Sequence, residues 1–131
     1  TLTNNTDRNS AEFAIPAFNP ANLVNAPAGA THFRLVNAIA VVSNWVYNDT
    51  TGKYEPTDGE LNELANVQYS DYLDLNTVTA ATSVETELPG SPTMTATVSV
   101  LNCIGIEFYQ QVGSNYYLFA SGNALRVDEV F

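Results

Sequence analysis

Alternation of apolar and polar residues with a period of two is the main pattern along this chain, and it predicts β-strands. Residues 94–108 show it most clearly, because every even-numbered position there except Asn102 is apolar. Leu101 and Cys103 add apolar side chains on the other face. We therefore expect a β-bulge, or a switch of the strand between sheets, at Asn102. Residues 67–75 alternate in the same way and predict a half-buried strand.

A second long apolar stretch, residues 31–47, is rich in Val, Ile and aromatic residues and contains no Gly or Pro. It predicts one bent strand, or two strands separated by a kink near Asn44. The Asn, Asp and Gly of residues 48–52 are typical of a tight turn, so the chain is expected to return as a hairpin. A loop formed by these residues places Tyr47 opposite Lys53.

Turn sequences recur at short intervals, and helical periodicity is almost absent. Gly113 and Gly122 lie in two such turns, so the C-terminal part of the chain is expected to form a three-stranded meander. The chain is long enough for one domain with a hydrophobic core. These features predict an all-β fold, an antiparallel β-sandwich of Greek-key or immunoglobulin-like type with about seven to nine strands.

The N-terminal segment differs from the rest, and we expect residues 1–30 to form an extended arm beside a sandwich domain of residues 31–131. Its beginning is polar and aperiodic, which is typical of a loosely held terminus. The candidate assembly residues are Glu12, Phe13, Ala14 and Ile15, which alternate as a short edge strand. Pro16 ends that strand. Because such a strand can pair with an exposed sheet edge, we expect self-association, or binding to another protein, through a sheet edge.

The amount and sign of the charge argue against several functional classes. Its 131 residues carry a net charge of −10, and only 14% of them are charged, well below the usual fraction. We expect no nucleic-acid partner, because that binding needs clustered Lys and Arg. We also expect no membrane insertion, because no apolar stretch is long enough. Because the chain begins at Thr1 rather than Met, a mature extracellular or cell-surface protein without its signal peptide is expected.

Side chains suited to catalysis are scarce, since the chain has one Lys, three Arg, one His and one Cys. His32 has no second His or Cys nearby in sequence, so a zinc site is not expected. Cys103 lies in an apolar strand, where a buried, unreactive thiol is expected. Glu107 could serve a glycosidase, but a solvent-facing carboxylate, or one paired with Arg34 or Arg126, is favoured. We expect no enzymatic activity, no catalytic residues and no nucleotide cofactor.

Acidic residues are concentrated between residues 49 and 87, alongside a single Lys. Calcium binds several oxygen atoms, often from carboxylates of one loop, and is the one cofactor that this cluster suggests. The candidate metal ligands are Asp49, Asp58, Glu60 and Glu63. Their spacing is not that of an EF-hand loop, and a solvated acidic face is the alternative interpretation.

Aromatic residues supply the candidate ligand-binding site. Trp45 and Tyr47 are two residues apart on a predicted strand and therefore share a face. With Tyr54, Tyr69 or Tyr72 they could form a stacking platform for the sugar rings of a glycan. The alternative is that these rings are half-buried core or interface residues, because Tyr and Trp combine an apolar body with a polar tip.

Taken together, the scarce catalytic groups, the charge-poor strands and the N-terminal arm favour a non-enzymatic extracellular structural or adhesive module. Such a module could be a subunit of a surface or filamentous assembly. A carbohydrate-binding module is the first alternative, with Trp45 in its binding platform. A viral coat or decoration protein is the second, because composition does not distinguish it from other assembly subunits.

Overall fold

The computed structural model describes residues 1–131 and shows an almost entirely antiparallel β protein. Its strands are β1 (Leu2–Asn4), β2 (Ser10–Ile15), β3 (His32–Ser43), β4 (Trp45–Asn48), β5 (Lys53–Pro56), β6 (Ala65–Tyr69), β7 (Leu73–Asp74), β8 (Thr82–Glu87), β9 (Val98–Val112), β10 (Asn115–Leu118) and β11 (Ala124–Val130). The all-β prediction is confirmed. The strands outnumber those expected, partly because the predicted strand 67–75 is divided into β6 and β7. The break at Asn44, between β3 and β4, lies where the kink was expected.

Two sheets pack face to face in a sandwich-like arrangement. The smaller sheet contains β1, β2 and β8 in that order. The larger sheet has β3 and β9 at its centre. β6 and β7 pair with the free edge of β3, whereas β10 and β11 pair with the free edge of β9. β4 and β5 form a separate two-stranded hairpin beyond the end of β3.

The C-terminal strands do not form the expected meander. β10 returns along β9 after a turn at Gly113, as expected, but β11 also pairs with β9 rather than with β10. β10 and β11 therefore lie end to end along one edge of β9. The Asn123 side chain joins them to this edge, because it accepts a hydrogen bond from the backbone N–H of Phe108 and donates one to the carbonyl of Phe119.

The hydrophobic core lies between the sheets and is built mainly on the inner face of β3. Its buried apolar residues form two groups. One contains Ala11, Ile39, Val41, Leu61, Leu88, Met94, Val98 and Val100, and the other contains Phe33, Leu35, Val84 and Phe108. Along β3 these groups are separated by Asn37, which is also fully buried. The core is therefore divided by a polar side chain at its centre.

β9 has no bulge at Asn102, so that expectation was wrong. The strand pairs with β3 in an unbroken register, and regular alternation directs Asn102 into the core. Leu101 and Cys103 consequently point to the opposite face of the sheet. The irregularity of this sheet lies instead in β11, between Val127 and Glu129.

The buried asparagines hydrogen-bond to each other and join the two sheets. Nδ2 of Asn102 donates to Oδ1 of Asn37 at 2.7 Å. Nδ2 of Asn37 donates to the backbone carbonyls of Ala11 in β2, at 2.9 Å, and of Val84 in β8, at 2.8 Å. The hydroxyl of Thr86, also in β8, donates to the carbonyl of Asn37. Asn37 is tolerated here because its side-chain amide and its Oδ1 both find partners within the core.

Residues 1–30 are part of the sandwich rather than a loosely held arm. Arg8 adopts a left-handed backbone conformation, with φ 57°, and its guanidinium donates to the carbonyls of Thr95 and Val98. Oδ1 of Asn5 accepts from the backbone N–H of Ser10, closing the turn between β1 and β2. The polar residues of this segment therefore form specific turn contacts, which composition alone does not distinguish from a loose terminus.

β2 contains the candidate assembly residues Glu12, Phe13, Ala14 and Ile15. It is the central strand of the smaller sheet, paired with β1 on one side and with β8 on the other. Both of its hydrogen-bonding edges are thus occupied within one chain. The expected docking strand is an internal strand, and it has no free edge to offer a neighbour.

Pro20 opens a single helical turn, α1 (Pro20–Leu23), as its sequence suggested. The side chain of Asn19 caps this turn by accepting a hydrogen bond from the backbone N–H of Ala21. The structure contains no helix with the length and apolar character needed to cross a membrane.

Replacing Asn37 with Ala tests the role of the buried pair. The substitution leaves the carbonyls of Ala11 and Val84, and the amide of Asn102, without their present partner. Because each buried group left unsatisfied costs about 1–3 kcal/mol, the free energy of unfolding should fall by about 3 kcal/mol or more in urea denaturation. The control is Asn76→Ala at an exposed site, which should change it by less than about 0.5 kcal/mol. Similar stabilities for the two variants would contradict a central role for Asn37.

Candidate functional site

The five candidate sugar-binding aromatics lie in two separate places. Trp45, Tyr47 and Tyr54 belong to the β4–β5 hairpin, whereas Tyr69 ends β6 and Tyr72 precedes β7. Roughly 30 Å of extended chain separates Trp45 from the position in β3 that pairs with Tyr69. A single platform of all five rings is therefore not formed.

The hairpin presents an aromatic surface on one of its faces. Tyr47 pairs with Tyr54, and Asn48 with Lys53, so the loop is one residue shorter than expected. This register places Trp45, Tyr47 and Tyr54 on the same face. Their exposed fractions are 52%, 54% and 69%, and the Tyr47 and Tyr54 rings meet edge to face with centroids 5.3 Å apart. We call these three residues the aromatic ridge.

Polar side chains fix the conformation of this hairpin. Glu55 accepts hydrogen bonds from the Asn48 amide, at 2.9 Å, and from the Thr51 hydroxyl, at 2.8 Å. Both hydrogen bonds favour the carboxylate and therefore lower the pKa of Glu55 below its ordinary value, the bond from Asn48 more than the bond from Thr51. Oδ1 of Asn48 also accepts from the backbone N–H of Thr50. The ridge is thus held in place by a turn that Asn48, Thr51 and Glu55 close with their side chains.

The second aromatic group is a stacked column at the other end of β3. The Arg34 guanidinium lies over the rings of Tyr69 and Tyr72, with centroid distances of 4.3 Å and 4.9 Å. Tyr72 also stacks on Tyr116, with centroids 3.8 Å apart and nearly parallel planes. His32 contacts the Tyr116 ring edge to face. Protein side chains therefore already contact the faces of Tyr72, and the column presents no open platform.

Glu107 lies beside this column and is not paired with an arginine. Its carboxylate accepts a hydrogen bond from the hydroxyl of Tyr109 at 2.7 Å. The one ion pair of the structure joins Arg126 to Asp128 instead. The pKa of Tyr109 is raised to about 12. The main cause is the burial of Tyr109 itself, and the hydrogen bond to Glu107 and its negative charge add to the effect. The Arg34 or Arg126 partner expected for Glu107 is therefore replaced by a phenol.

The structure does not bring the candidate calcium ligands together as a group of carboxylates. The candidates were Asp49, Asp58, Glu60 and Glu63. The Asp58 carboxylate accepts hydrogen bonds from the backbone N–H of Leu61 and from the Thr95 hydroxyl, so it closes a turn. No three side chains of His, Cys, Asp or Glu come close enough together to hold a metal ion. Asp49 lies in the turn of the β4–β5 hairpin, whereas Asp58, Glu60 and Glu63 lie in the turn segment between β5 and β6.

The larger sheet has an outer face, defined as the face that points away from the smaller sheet, and this face carries a continuous apolar block. Cross-strand pairing arranges the block in three rows over β6, β3, β9 and β11. The rows are Tyr69, Val36, Gly105 and Leu125; Val67, Ala38, Cys103 and Val127; and Ala65, Ala40, Leu101 and Val130. None of these side chains is charged, and all except Val36 are exposed or half-buried.

Cys103 lies in the middle row of this block and not in the core. It is half-buried, and its cross-strand neighbours are Ala38 and Val127. The expectation of a buried thiol was wrong because it was based on the apolar residues that flank Cys103 in sequence, and not on the face to which its side chain points. Regular alternation directs Cys103 outward once Asn102 is directed inward.

The sequence contains a signal for the apolar outer face that the expectations above did not use. An antiparallel strand with one solvated face alternates apolar and polar residues, whereas a strand covered on both faces is apolar throughout. Apart from the buried Asn37 and Asn102, both central strands, β3 and β9, are of the second type in the segments that form the block. Their pattern is that of strands with a covered outer face.

The two sheets meet closely along one side of the sandwich and diverge along the other. On the close side, the Asn66 amide donates to the carbonyl of Glu87 at 2.7 Å. On the open side lies an apolar groove of about 290 Å³. Its lining comprises Phe13, Leu35, Ile104, Gly105, Ile106, Ala124, Leu125 and Arg126. Gly105 and Leu125 belong also to the outer block, so the apolar surface continues around β11.

The free edge of β11 is poorly suited to adding another strand. β11 pairs with β9 on one side and has no strand on the other. It contains a bulge at Asp128 and carries the charged residues Arg126 and Glu129. Bulges and charges of this kind hinder edge-to-edge pairing of sheets.

The raised pKa of Tyr109 predicts a dependence of stability on alkaline pH. Because the pKa rises on folding, the neutral phenol contributes stability below pH 10, and this contribution is lost as the pH passes through about 12. A phenolate absorbance titration should show one of the seven tyrosines ionising last, and Tyr109→Phe should remove that step. Glu107→Gln should lower the pKa of Tyr109, because it removes the nearby negative charge. An unchanged titration in both variants would contradict the assignment.

Comparison of the chain with protein-family models, curated proteins and solved structures finds no match. Its function is therefore argued from the residues described above.

Proposed function

We propose that this protein is a non-enzymatic, extracellular structural or adhesive module that assembles by packing the outer faces of two copies against each other. The observation that carries the proposal is the uncharged apolar block on the larger sheet. An antiparallel sheet that packs on the core with one face normally presents polar side chains on the other. Burial of apolar surface therefore favours a partner that covers this face.

The size of the block suits the centre of such an interface. Four strands spaced about 4.8 Å apart, and three rows spaced about 6.8 Å apart, cover about 400 Å². A stable interface buries about 800 Å² on each partner. Val42 extends the same face at one end of the block, whereas at the other end the paired residues Arg34 and Glu107 separate the block from the exposed Tyr72 and Leu118. The block thus supplies about half of the area that such an interface buries on each partner.

The shape and charge of the face favour a second copy of the same chain. The centre of the block is nearly flat, because it contains the small residues Gly105, Ala38 and Ala40. Two such sheets can pack about 10 Å apart. A net charge of −10 on each copy opposes association, but no charged side chain lies within the block. Salt should therefore strengthen the association, because it screens the repulsion between copies and leaves the apolar contact intact.

A contact through the face replaces the contact through a sheet edge that the sequence suggested. β2, which was expected to dock on a neighbour, is internal. The free edge of β11 is bulged and charged. The outer face has neither obstacle, and it offers a larger apolar area than either edge.

Introducing a carboxylate into the block should abolish assembly. Val127 is 53% exposed in the single chain, so Val127→Glu remains solvated there and should fold. In the pair, the new charges would be buried near the symmetry axis, and the dissociation constant should rise at least about a hundredfold. Light scattering coupled to size exclusion measures the change. The matched control is Val78→Glu, 67% exposed and outside the block, which should assemble like the natural chain.

The single cysteine reports directly on the proposed contact. Because Cys103 lies in the middle row of the block, its labelling by a thiol reagent should become slower as the protein concentration rises. Val127→Glu should remove that concentration dependence. A natural chain that stays monomeric at all concentrations would overturn the proposal. An oligomer that leaves Cys103 equally reactive would show that another surface mediates assembly.

A further inference from the structure

We infer that the aromatic ridge of the β4–β5 hairpin is a binding site for a neutral oligosaccharide, a function separate from assembly through the outer face. The ridge comprises Trp45, Tyr47 and Tyr54, which are all more than half exposed. The packing of the sandwich gives no reason for three large rings to be exposed on one side of one hairpin. The hairpin is a sheet of its own, paired with neither of the two larger sheets.

The chemistry of the ridge matches that of sugar rings. Pyranose rings have an apolar face of C–H groups, which packs on aromatic rings, and a rim of hydroxyls, which form hydrogen bonds. The hydroxyls of Tyr47 and Tyr54 make no hydrogen bond within the protein and are free to bind such a rim. Pro56 continues the same face beside Trp45, so the face contains no charged side chain. It is therefore complementary to a neutral, hydroxyl-rich ligand.

Charge disfavours the other ligands that stack on aromatic rings. Nucleic-acid bases stack on exposed Tyr and Trp, but their phosphates need neighbouring Lys or Arg. The only cationic residue of the hairpin is Lys53, which pairs with Asn48 and therefore lies on the opposite face. The net charge of −10 also repels acidic polysaccharides.

The ridge is preorganised, which lowers the entropy lost on binding. Glu55, Asn48 and Thr51 form the hydrogen-bonded back of the hairpin. Its base is tied to the sandwich at Asn44, whose N–H donates to the carbonyl of Thr97 and whose carbonyl accepts from the N–H of Thr57. The rings are therefore held in place at both ends of the hairpin.

The position of the ridge leaves it accessible in an assembled pair. It follows the C-terminal end of β3, beyond Ser43, whereas the last row of the outer block crosses β3 at Ala40 and the outer face is extended only to Val42. Assembly and sugar binding should consequently be separable by mutation. Val127→Glu should assemble poorly and bind sugar normally, and ridge variants should show the reverse behaviour.

Trp45 is the only tryptophan, so fluorescence reports on the ridge alone. We would titrate the natural chain with cellohexaose and chitohexaose, and measure quenching of Trp45 by acrylamide at each step. Binding should reduce the quenching in a saturable way. An acidic hexagalacturonate of the same length should bind more weakly or not at all.

Tyr54→Ala tests the ridge while keeping the fluorescent reporter. Loss of one stacking ring should weaken the neutral hexasaccharide at least about tenfold, if sugar stacking resembles base stacking in strength. The matched control is Tyr117→Ala, a tyrosine of similar exposure in β10, which should change the affinity less than about twofold. Trp45→Ala should lose retention on insoluble cellulose or chitin. The thermal unfolding of each variant confirms that its fold is intact.

Three results would overturn the inference. The first is the absence of protection of Trp45 by either neutral hexasaccharide at about 10 mM, a concentration that would detect even weak binding. The second is protection by detergent micelles or lipid vesicles and not by sugar, which would assign the ridge to an apolar surface. The third is equal weakening by Tyr54→Ala and Tyr117→Ala, which would place binding elsewhere.

Discussion

The sandwich depends on one buried polar contact, the hydrogen bond between the side chains of Asn37 and Asn102. Through it, the central strands of the larger sheet are joined to the carbonyls of Ala11 and Val84 in the smaller sheet. Oδ1 of Asn102 remains buried without a hydrogen-bond partner, so the contact carries an energetic cost as well as a benefit. What it contributes is a unique register. A shift of β3 by one residue would move Asn37 to the outer face, away from Asn102, and leave these carbonyls unsatisfied in the core.

The composition of the outer face follows from this register. Once Asn37 and Asn102 point inward, Ala38 and Cys103 must point outward, because neighbouring residues of a strand alternate. The same interaction that specifies the core therefore determines that the exposed face of the sheet is apolar. A polar residue inside and apolar residues outside invert the usual arrangement at the centre of the sheet. The inversion is easiest to understand if the outer face is also an interface.

The two proposed surfaces would act together in an adhesive protein. The outer face lies across the larger sheet, and the aromatic ridge projects from a hairpin beyond its end. Pairing through the outer face would place two ridges on one particle. Two weak sites on one particle bind a repeating polymer more tightly than either site does alone, because the second contact forms at a high effective concentration. A structural module and a sugar-binding module, which composition presented as alternatives, are compatible in this geometry.

The sequence by itself determined the all-β class, the break near Asn44 and the turn at Gly113, because period-two alternation and turn residues act over a few neighbouring positions. It also identified Trp45 and Tyr47 as neighbours on one face. Only the tertiary structure decided which apolar run faces the core, since β9 is apolar on both faces and the choice depends on Asn37, far away in the chain. Long-range contacts likewise made residues 1–30 part of the sandwich and kept Tyr69 and Tyr72 away from the ridge. Local patterns specify strands and turns, but the partner of each strand depends on residues that are distant in sequence.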